Sequence, residues 1–372
     1  MSTGGTTAIV VLAAGRGTRM RSKRPKVLQK LAGRPLLSHV LDTAAALAPT
    51  ELIVVYGYGG MAVKDELSSY QAKWVEQPEQ LGTGHAVACS LPYIPPQARV
   101  LVLCGDVPLV TPTTLENLLT DPADSLSLLT VELTDPTGYG RIIRRVEDDR
   151  IRGIVEEKDA TAEQKTIRET NTGLLAAPAG ALKEWLERLS TQNAQGEYYL
   201  TDIVGMAAQQ GYKVLGHCAP SQAEVVGVND FIQLAEAEAS WQQRKRQEMM
   251  KSGLALPAPT RVMIRGEVEF GQDCMIDADA LLEGKVVLGN GVTVGTGAIL
   301  RDCLIGDDTN VEPYSVVINS AIGARCQIGP FAHVRPETTL EDGAKVGNFV
   351  ETKAAWLGKG AKANHLSYVG DD

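Results

Sequence analysis

The chain has 372 residues, of which 44% are hydrophobic and 22% charged, and its formal net charge is -9. This length exceeds one ordinary hydrophobic core and predicts two or three domains. The acidic balance argues against a general nucleic-acid surface, and no apolar run approaches the ~20 residues of a membrane span. Six cysteines without a C-x-x-C pair disfavour a metal or disulfide framework and indicate reduced thiols in a cytoplasmic protein.

The first half of the chain alternates strand-like and helical patterns. Apolar runs predict strands at Thr7–Leu12, Leu52–Tyr56 and Val100–Cys104. Between them, Leu36–Leu47 and Gly84–Leu91 have helical patterns. Such alternation predicts a Rossmann-like α/β domain, in which helices cover both faces of a parallel sheet.

A basic segment with glycines follows the first predicted strand. Leu12–Leu28, with the sequence LAAGRGTRMRSKRPKVL, holds two glycines and six basic residues. Parallel sheets bind ligands at the carboxyl ends of their strands, and Gly15 and Gly17 let backbone N–H groups approach closely. The segment therefore predicts a polyphosphate site. The motifs G-x-x-x-x-G-K-[ST] and G-x-G-x-x-G are absent, so a solvated basic turn is the alternative for this segment taken alone.

An acidic residue follows another apolar strand at the same predicted edge. Asp106 lies in LVLCGDVPL, Leu101–Leu109. A carboxylate beside a phosphate site repels the ligand unless a cation intervenes, so the pair of segments predicts Mg²⁺. An isolated Gly-Asp after a strand is more often a turn, and the neighbouring basic segment is what favours the metal interpretation.

A long helix and a break separate the two halves of the chain. Asp230–Met250 has a helical pattern, with Asp230 suited to cap its N-terminus and basic residues late in the segment. Ser252–Thr260, SGLALPAPT, is typical of a linker. We therefore expect a nucleotide-binding domain over 1–229, a connecting helix and linker over 230–260, and a second domain over 261–372.

Beyond the break, apolar residues recur at every sixth position and are often followed by glycine, with a slip of phase by one after Val294 and another after Val317. The members of this series are Ile264, Phe270, Ile276, Leu282, Leu288, Val294, Ile305, Val311, Val317, Ile322, Ile328, Val334, Leu340, Val346, Leu357 and Val369. A six-residue period with turn glycines is typical of a parallel β-helix, and three such units form one coil, which predicts about six coils. A β-sandwich would show period-two alternation instead, and that is absent.

Several quoted segments together resemble a known family of enzymes. LAAGRGTRM and CGDVPL are similar to nucleoside-diphosphate-sugar pyrophosphorylases, and EQPEQLGTGHA, DPTGYGRI, GIVEEKDAT, ETNTG, AQGEYYLTD and GVND narrow the similarity. With the hexapeptide repeats and GPFAHVRP, VGNFVETK and KANHLSYVGD, the chain resembles the bacterial bifunctional family that joins N-acetylglucosamine-1-phosphate uridyltransferase to glucosamine-1-phosphate N-acetyltransferase. The resemblance covers nearly all of the chain, and it implies a left-handed β-helix that forms a homotrimer.

For the first domain, the resemblance implies uridylyl transfer from UTP to N-acetylglucosamine 1-phosphate, giving UDP-N-acetylglucosamine and pyrophosphate. It implies that Asp106 and Asn229 hold Mg²⁺ and that Arg19 and Lys26 reach phosphate oxygens, with Lys26 expected on an exposed loop. The implied nucleotide contacts are Leu12, Ala13, Ala14, Gly15, Gln77, Gly82, Thr83, Cys104 and Gly105, of which Gln77, Gly82 and Thr83 face uracil. The implied sugar contacts are Gly140, Glu156 and Asn171. At Cys104 the family more commonly has tyrosine.

For the second domain, the resemblance implies acetyl transfer from acetyl-CoA to glucosamine 1-phosphate. Arg335, Lys353 and Tyr368 match its sugar site, and His365 matches the general base that takes a proton from the amine. The family continues for several coils beyond the position of Asp372, and these coils carry much of the acetyl-CoA site. We therefore expect a β-helix that is incomplete at its C-terminus, with weak or absent acetyl transfer.

Three alternatives stay open at this point. A pyrophosphorylase of other nucleotide or sugar specificity would use the same chemistry. A non-catalytic scaffold or regulatory subunit would be expected to have lost Lys26, Asp106 or Asn229, and all three are present. A free-standing acyltransferase fits less well, because the motif set of the first domain is complete whereas that of the second is not.

Overall fold

The computed structural model describes residues 5–15 and 17–370. The chain packs as two compact units. The first comprises the residues up to Leu31 together with Pro35–Ala237, and the second comprises Ala32–Arg34 and the residues from Glu238 onward. Arg16 of the basic segment lies outside the described residues.

The first unit is built on a nine-stranded sheet with helices on both faces. The strands of this half of the chain are β1 (Thr7–Ala13), β2 (Lys30–Leu31), β3 (Arg34–Pro35), β4 (Glu51–Tyr56), β5 (Lys73–Glu76), β6 (Arg99–Cys104), β7 (Ser125–Glu132), β8 (Arg141–Arg144), β9 (Ile151–Val155), β10 (Glu169–Pro178) and β11 (Lys213–Cys218). The helices of the chain are α1 (Leu36–Ala46), α2 (Gly60–Glu66), α3 (Thr83–Ser90), α4 (Pro112–Leu119), α5 (Ala179–Leu186), α6 (Asp202–Gln209), α7 (Gln222–Val225) and α8 (Phe231–Lys251).

The sheet has the order β11-β7-β10-β6-β1-β4-β5, with β8 and β9 attached beside β10. The three strands predicted from apolar runs are confirmed as β1, β4 and β6, and they lie side by side in parallel. Alternate residues of β1 enter opposite cores, since Val10 packs on one face and Val11 on the other. The sheet differs from the predicted parallel one in two places: β10 runs antiparallel to both β6 and β7, and β8 runs antiparallel to its neighbours β9 and β10.

The second unit is the expected parallel β-helix. Its strands are β12 (Met263–Phe270), β13 (Met275–Ile276), β14 (Leu281–Leu288), β15 (Thr293–Val294), β16 (Ile299–Ile305), β17 (Asn310–Val311), β18 (Val316–Ile318), β19 (Ala321–Ile322), β20 (Gln327–Ile328), β21 (His333–Val334), β22 (Thr339–Leu340), β23 (Lys345–Asn348), β24 (Glu351–Lys353), β25 (Trp356–Leu357), β26 (Lys362–His365) and β27 (Tyr368–Gly370). Ile264 pairs with Leu282 and Leu282 with Leu300, so three hexapeptides form one coil. The six-stranded sheet β13-β15-β17-β20-β23-β26 agrees with the predicted number of coils.

The predicted six-residue series forms the core of this β-helix. Its members are buried, except that Phe270 and Val369 are partly buried against the same core. Where the series slips, Leu300 and Thr352 take the inward positions and are fully buried. The Thr352 hydroxyl lies 3.2 Å from that of Thr338, so its polar group is not left without a partner.

The connecting segment is more ordered than its composition predicts. Asp230 caps α8 as expected, because its Oδ1 accepts the Gln233 N–H over 2.8 Å. The expected linker Ser252–Thr260 is not free, since Leu254 and Leu256 are buried in the core of the second unit. The boundaries 1–229, 230–260 and 261–372 stay a prediction, and their ends at Met1 and Asp372 lie outside the described residues. Within the described part of the chain, no helix combines the length and apolarity that a bilayer crossing requires.

Candidate active site

The carboxyl ends of β1 and β6 bring the basic segment and the acidic residue together. Leu12 lies opposite Cys104 in the register of the two strands. The Gly105 N–H donates to the Leu12 carbonyl over 2.9 Å, which fixes the chain just beyond β6. A loop from much later in the chain joins them, because the Val228 N–H donates to the Asp106 carbonyl over 2.8 Å.

An ammonium group occupies the centre of this edge. Lys26 Nζ forms an ion pair with Asp106 Oδ2 and donates to Asn229 Oδ1 over 3.1 Å. Arg19 Nη2 donates to the same amide oxygen over 3.3 Å. The Asn229 amide is oriented from behind, since its Nδ2 donates to the Gly227 carbonyl over 3.1 Å. A carboxylate and an amide oxygen therefore converge on one positive charge, and these are ligand types that hard cations prefer.

The expectation that Lys26 lies on an exposed loop is wrong. Its side chain is only 12% exposed. Lys26 begins a 3₁₀ turn, Lys26–Leu28, in which Val27 and Leu28 enter the core. The buried neighbours fix the turn, and the ammonium is directed towards Asp106 instead of solvent.

A cavity of about 600 Å³ opens beside this charged cluster. Lys26 and Asp106 of the cluster line it, whereas Arg19 and the predicted contact Gly105 do not. The predicted nucleotide contacts that also line it are Leu12, Ala13, Ala14, Gly15, Gln77, Gly82, Thr83 and Cys104. A Cβ built on Gly15 would meet nothing within 4 Å, so the backbone here faces open space. The volume falls within the range typical of small-molecule sites.

The Gly82–Thr83 corner of this cavity is fixed by a distant segment. Gly82 has φ = +109°, and a Cβ there would lie 2.6 Å from the Tyr198 carbonyl oxygen. The Tyr198 N–H donates to the Leu81 carbonyl over 2.8 Å. Thr83 Oγ1 accepts the Leu200 N–H over 3.1 Å. The motif AQGEYYLTD thus supports the segment that was predicted to contact uracil.

A second cavity, of about 240 Å³, adjoins the first. Both cavities are lined by Leu12, Thr83, Cys104 and Asp106, which we call the shared wall. The predicted residues that line only the smaller cavity are Gly140, Glu156, Asn171 and Asn229. Two ligands filling these cavities would meet at Asp106, beside the Lys26 ammonium.

The carboxyl group of Glu156 in the smaller cavity has a raised pKa. Burial raises its pKa, and the negative charges of Asp202 and Asp159 add to that effect. Thr201 Oγ1 opposes the shift, because it donates to Glu156 Oε1 over 2.9 Å and stabilises the ionised form. The second oxygen faces Gly140, where a Cβ would lie 3.3 Å from Oε2.

Cys104 takes the position where the family more commonly has tyrosine. Burial, together with the charge of Asp106, raises the pKa of the Cys104 thiol to about 12. The thiol therefore stays neutral near pH 7. Its Sγ lies 3.7 Å from the Gly173 carbonyl oxygen, so it contributes packing to the shared wall.

Sequence reasoning missed several residues of the site. Gln80 and Glu197 line the larger cavity, and Tyr139 lines the smaller one. Arg141 is almost fully buried and holds the loop behind Tyr139, because it bonds the Tyr139 carbonyl and pairs with Glu157 at 2.7 Å. These residues and Glu157 all fall within the motifs quoted above, so the motifs were the available signal. The residues next to them in the sequence did not indicate which side chains face a cavity.

In the second unit, the predicted acetyltransferase residues lie on the last coils. Arg335 pairs with Glu351 at 2.7 Å, and Glu351 lies opposite Tyr368 in register. Lys353 lies in the same strand as Glu351. His365 is exposed at the end of β26, which belongs to a different sheet of the β-helix. The structure thus places Lys353 and Tyr368 on one sheet, with Arg335 directly after strand β21 of that sheet, and His365 on another sheet.

Comparisons with known proteins cover both units. A family model described as MobA-like NTP transferase domain matches residues 9–140, and one described as GMPPB C-terminal domain matches residues 264–359. The Bifunctional protein GlmU of Alkalilimnicola ehrlichii is 53% identical over 364 residues, covering 98% of this chain and 78% of that protein. The Bifunctional protein GlmU of Marinobacter nauticus is 49% identical over 364 residues, covering 98% of this chain and 80% of that protein.

Proposed function

The chain belongs to the GlmU family, and we propose that it transfers the uridylyl group of UTP to N-acetylglucosamine 1-phosphate. The products are UDP-N-acetylglucosamine and pyrophosphate. The observation that carries this proposal is the shared wall, where two cavities of different size meet at Asp106 beside Lys26. The fold class is the one expected from the sequence, a Rossmann-like α/β nucleotidyltransferase unit followed by a left-handed parallel β-helix.

Each cavity is suited to one substrate. UTP would occupy the larger one, with its base against Gln77, Gly82 and Thr83 and its phosphates towards Lys26. Amide and backbone groups suit a base edge, since they offer paired donors and acceptors without charge. The sugar phosphate would occupy the smaller cavity, where the Glu156 carboxylate accepts hydrogen bonds from sugar hydroxyls.

The reaction requires alignment more than side-chain chemistry. A phosphate oxygen of the sugar 1-phosphate attacks the α-phosphorus of UTP, and the bond to pyrophosphate breaks. The attacking group is already ionised near neutral pH, so no protein nucleophile is needed. Lys26 and Arg19 bring positive charge to the place where the two polyanions meet, which lowers their mutual repulsion.

Asp106 and Asn229 are the residues that would hold Mg²⁺. The fit is supported by their convergence on the Lys26 ammonium, which marks a position built for positive charge. The described residues contain no cluster of three or more His, Cys, Asp or Glu side chains suited to a metal, so phosphate oxygens and water would complete the coordination. When bound, Mg²⁺ would stabilise negative charge on the phosphate oxygens.

For the second unit we propose the family's acetyl transfer from acetyl-CoA to glucosamine 1-phosphate as its chemistry, with the weak or absent rate expected above. Arg335, Lys353 and Tyr368 would contact the sugar phosphate, and His365 would accept the proton of the amine. We also propose a cytoplasmic homotrimer formed through the β-helix. In support, this unit exposes stacked rings of Tyr314, Phe331 and Phe349 with centroids 5.3 and 5.4 Å apart, and subunit interfaces commonly cover such apolar surface.

The test is pyrophosphate release with each of the four nucleoside triphosphates, Mg²⁺, and either N-acetylglucosamine 1-phosphate or glucose 1-phosphate. We expect turnover with UTP and the acetylated sugar only. Preference for another nucleotide or for glucose 1-phosphate would indicate a pyrophosphorylase of different specificity. No turnover with any pair would favour a non-catalytic subunit. Thiol release from acetyl-CoA with glucosamine 1-phosphate tests the second activity, and sedimentation tests the trimer.

A further inference from the structure

Gln77 is held at the wall of the larger cavity by contacts that the proposed reaction does not use. The side chain is 3% exposed, and its backbone N–H donates to the Tyr56 carbonyl over 2.7 Å. Its Nε2 lies 3.1 Å from the Gly82 carbonyl oxygen and 3.1 Å from Nδ1 of His85, in the first turn of α3. No group in the described part of the chain donates to its Oε1.

The orientation of the Gln77 amide follows from the chemistry of these partners. A backbone carbonyl can only accept a hydrogen bond, so the group facing Gly82 must be the NH₂ group of Gln77. Its second N–H then points at His85 Nδ1, which has to offer a lone pair. The remaining oxygen, Oε1, is left for the cavity.

The surroundings of His85 favour the tautomer that offers this lone pair. The Glu79 carbonyl lies 3.0 Å from Nδ1 and could accept a proton from it, but it already accepts the Leu81 N–H over 2.9 Å. On the other side of the ring, Nε2 lies 3.7 Å from the Cys89 Sγ, one helical turn further along α3. A ring protonated at Nε2 alone gives the buried Gln77 N–H an acceptor at Nδ1 and places its own N–H towards Cys89, at the cost of a lone pair near the Glu79 oxygen. A proton at Nδ1 would bond Glu79 but would face the N–H of Gln77, and we take the pairing of this buried amide as the stronger requirement.

We propose that His85 is a positioning residue for base selection, acting by holding the Gln77 amide with Oε1 towards the nucleotide. This inference rests on the proposed use of the larger cavity by UTP. Uracil carries a proton at N3 and can donate to Oε1, whereas N3 of cytosine is an acceptor and would oppose it. His85 therefore favours UTP over CTP although it does not line the cavity.

The experiment measures kcat and KM for UTP and CTP, and calorimetric affinities for both nucleotides with Mg²⁺, in four proteins. These are the wild type, His85→Ala, His85→Asn and the matched control His333→Ala in the second unit. Asparagine can place its Oδ1 close to the position of Nδ1, so it restores the acceptor without the ring. Melting temperatures and the KM for the sugar phosphate are recorded for each protein.

We expect His85→Ala to raise the KM for UTP about 3- to 10-fold, the effect of losing about one hydrogen bond, with kcat nearly unchanged. The ratio of UTP to CTP affinity should fall by a similar factor, and His85→Asn should restore it to within about twofold. The KM for the sugar phosphate should not move. His333→Ala should match the wild type in every uridylyl-transfer measurement.

Two results would overturn the inference. One is an unchanged affinity ratio in a folded His85→Ala protein. The other is a loss that His85→Asn does not repair, or that appears equally in kcat and in the sugar phosphate KM, since this would mean a general structural role. A wild type that does not prefer UTP would contradict the proposed function itself, and the affinity ratios of the variants would still decide the role of His85.

Discussion

The contacts that define the two units join residues at very different separations along the chain. In the β-helix, each inward residue packs against equivalents one coil away, so a six-residue period is enough to assign its role. In the first unit, Lys26 meets Asp106, 80 residues away, and Asn229, 203 residues away. The repeated unit therefore spreads its stability over many equivalent positions, whereas the site concentrates its chemistry in a few residues that only the fold brings together.

The candidate active site, where a few residues carry the chemistry, is tested most directly by Asp106→Ala. We expect uridylyl transfer to fall by roughly 10³-fold or more, because charge stabilisation of this kind is worth several kcal/mol. The matched control is Asp124→Ala, an exposed carboxylate of the same unit. The measurement is steady-state kinetics at saturating Mg²⁺, and an Asp106→Ala protein that keeps most of its kcat would contradict the proposal that this residue holds Mg²⁺.

The β-helix, whose stability is spread over many equivalent positions, is tested by truncating one inward residue of its six-residue series. Ile328→Ala should lower the free energy of unfolding by about 2–5 kcal/mol, because a fully buried side chain leaves a cavity. Gln327→Ala, on the exposed side of the same strand, should change it by about 0.5 kcal/mol or less. Urea unfolding measures both. Equal effects would contradict the inward and outward assignment of β20.

Lys26→Ala separates catalysis from stability within the first unit. We expect a loss of about 2–4 kcal/mol of transition-state stabilisation, since a preorganised positive charge is removed. Lys23→Ala, an exposed lysine of the same basic segment, serves as the control and should be nearly silent. The measurement is kcat/KM beside the melting temperature. A large fall in melting temperature with little kinetic loss would make Lys26 a structural residue.

The smallest effect is expected from Thr201→Val. This change removes the hydrogen bond that lowers the pKa of Glu156, so burial and the neighbouring acids raise that pKa further. Because the ionised carboxylate is the better acceptor for sugar hydroxyls, its contribution is lost as pH falls through the pKa. The acid limb of kcat/KM for the sugar phosphate should therefore move to higher pH in the variant. Thr191→Val, an exposed threonine, should leave the limb in place.

The sequence predicted most of the β-helix and the sheet edge at which Lys26 and Asp106 meet, but not the local geometry of either region. Periodicity placed the inward series, yet it could not show that Leu254 and Leu256 join the same core from the expected linker. Alternation predicted strands β1 and β6, but the antiparallel course of β10 depends on pairing that no local pattern records. The buried position of Lys26 depends on contacts with distant residues, which composition cannot reveal.

The ion pair at the centre of the site has a consequence for how turnover proceeds. With Lys26 bound to Asp106 and Asn229, the free site already balances its own negative charge. On the proposed chemistry, the Lys26 ammonium would turn from Asp106 and Asn229 to the phosphates of an incoming triphosphate, which would free both protein oxygens to hold a cation. When pyrophosphate departs, the ammonium returns to Asp106 and Asn229. Asp106 and Asn229 thus compete with the departing pyrophosphate for the Lys26 ammonium, which favours its release. After release, the ion pair restores the charge balance of the site without another cation.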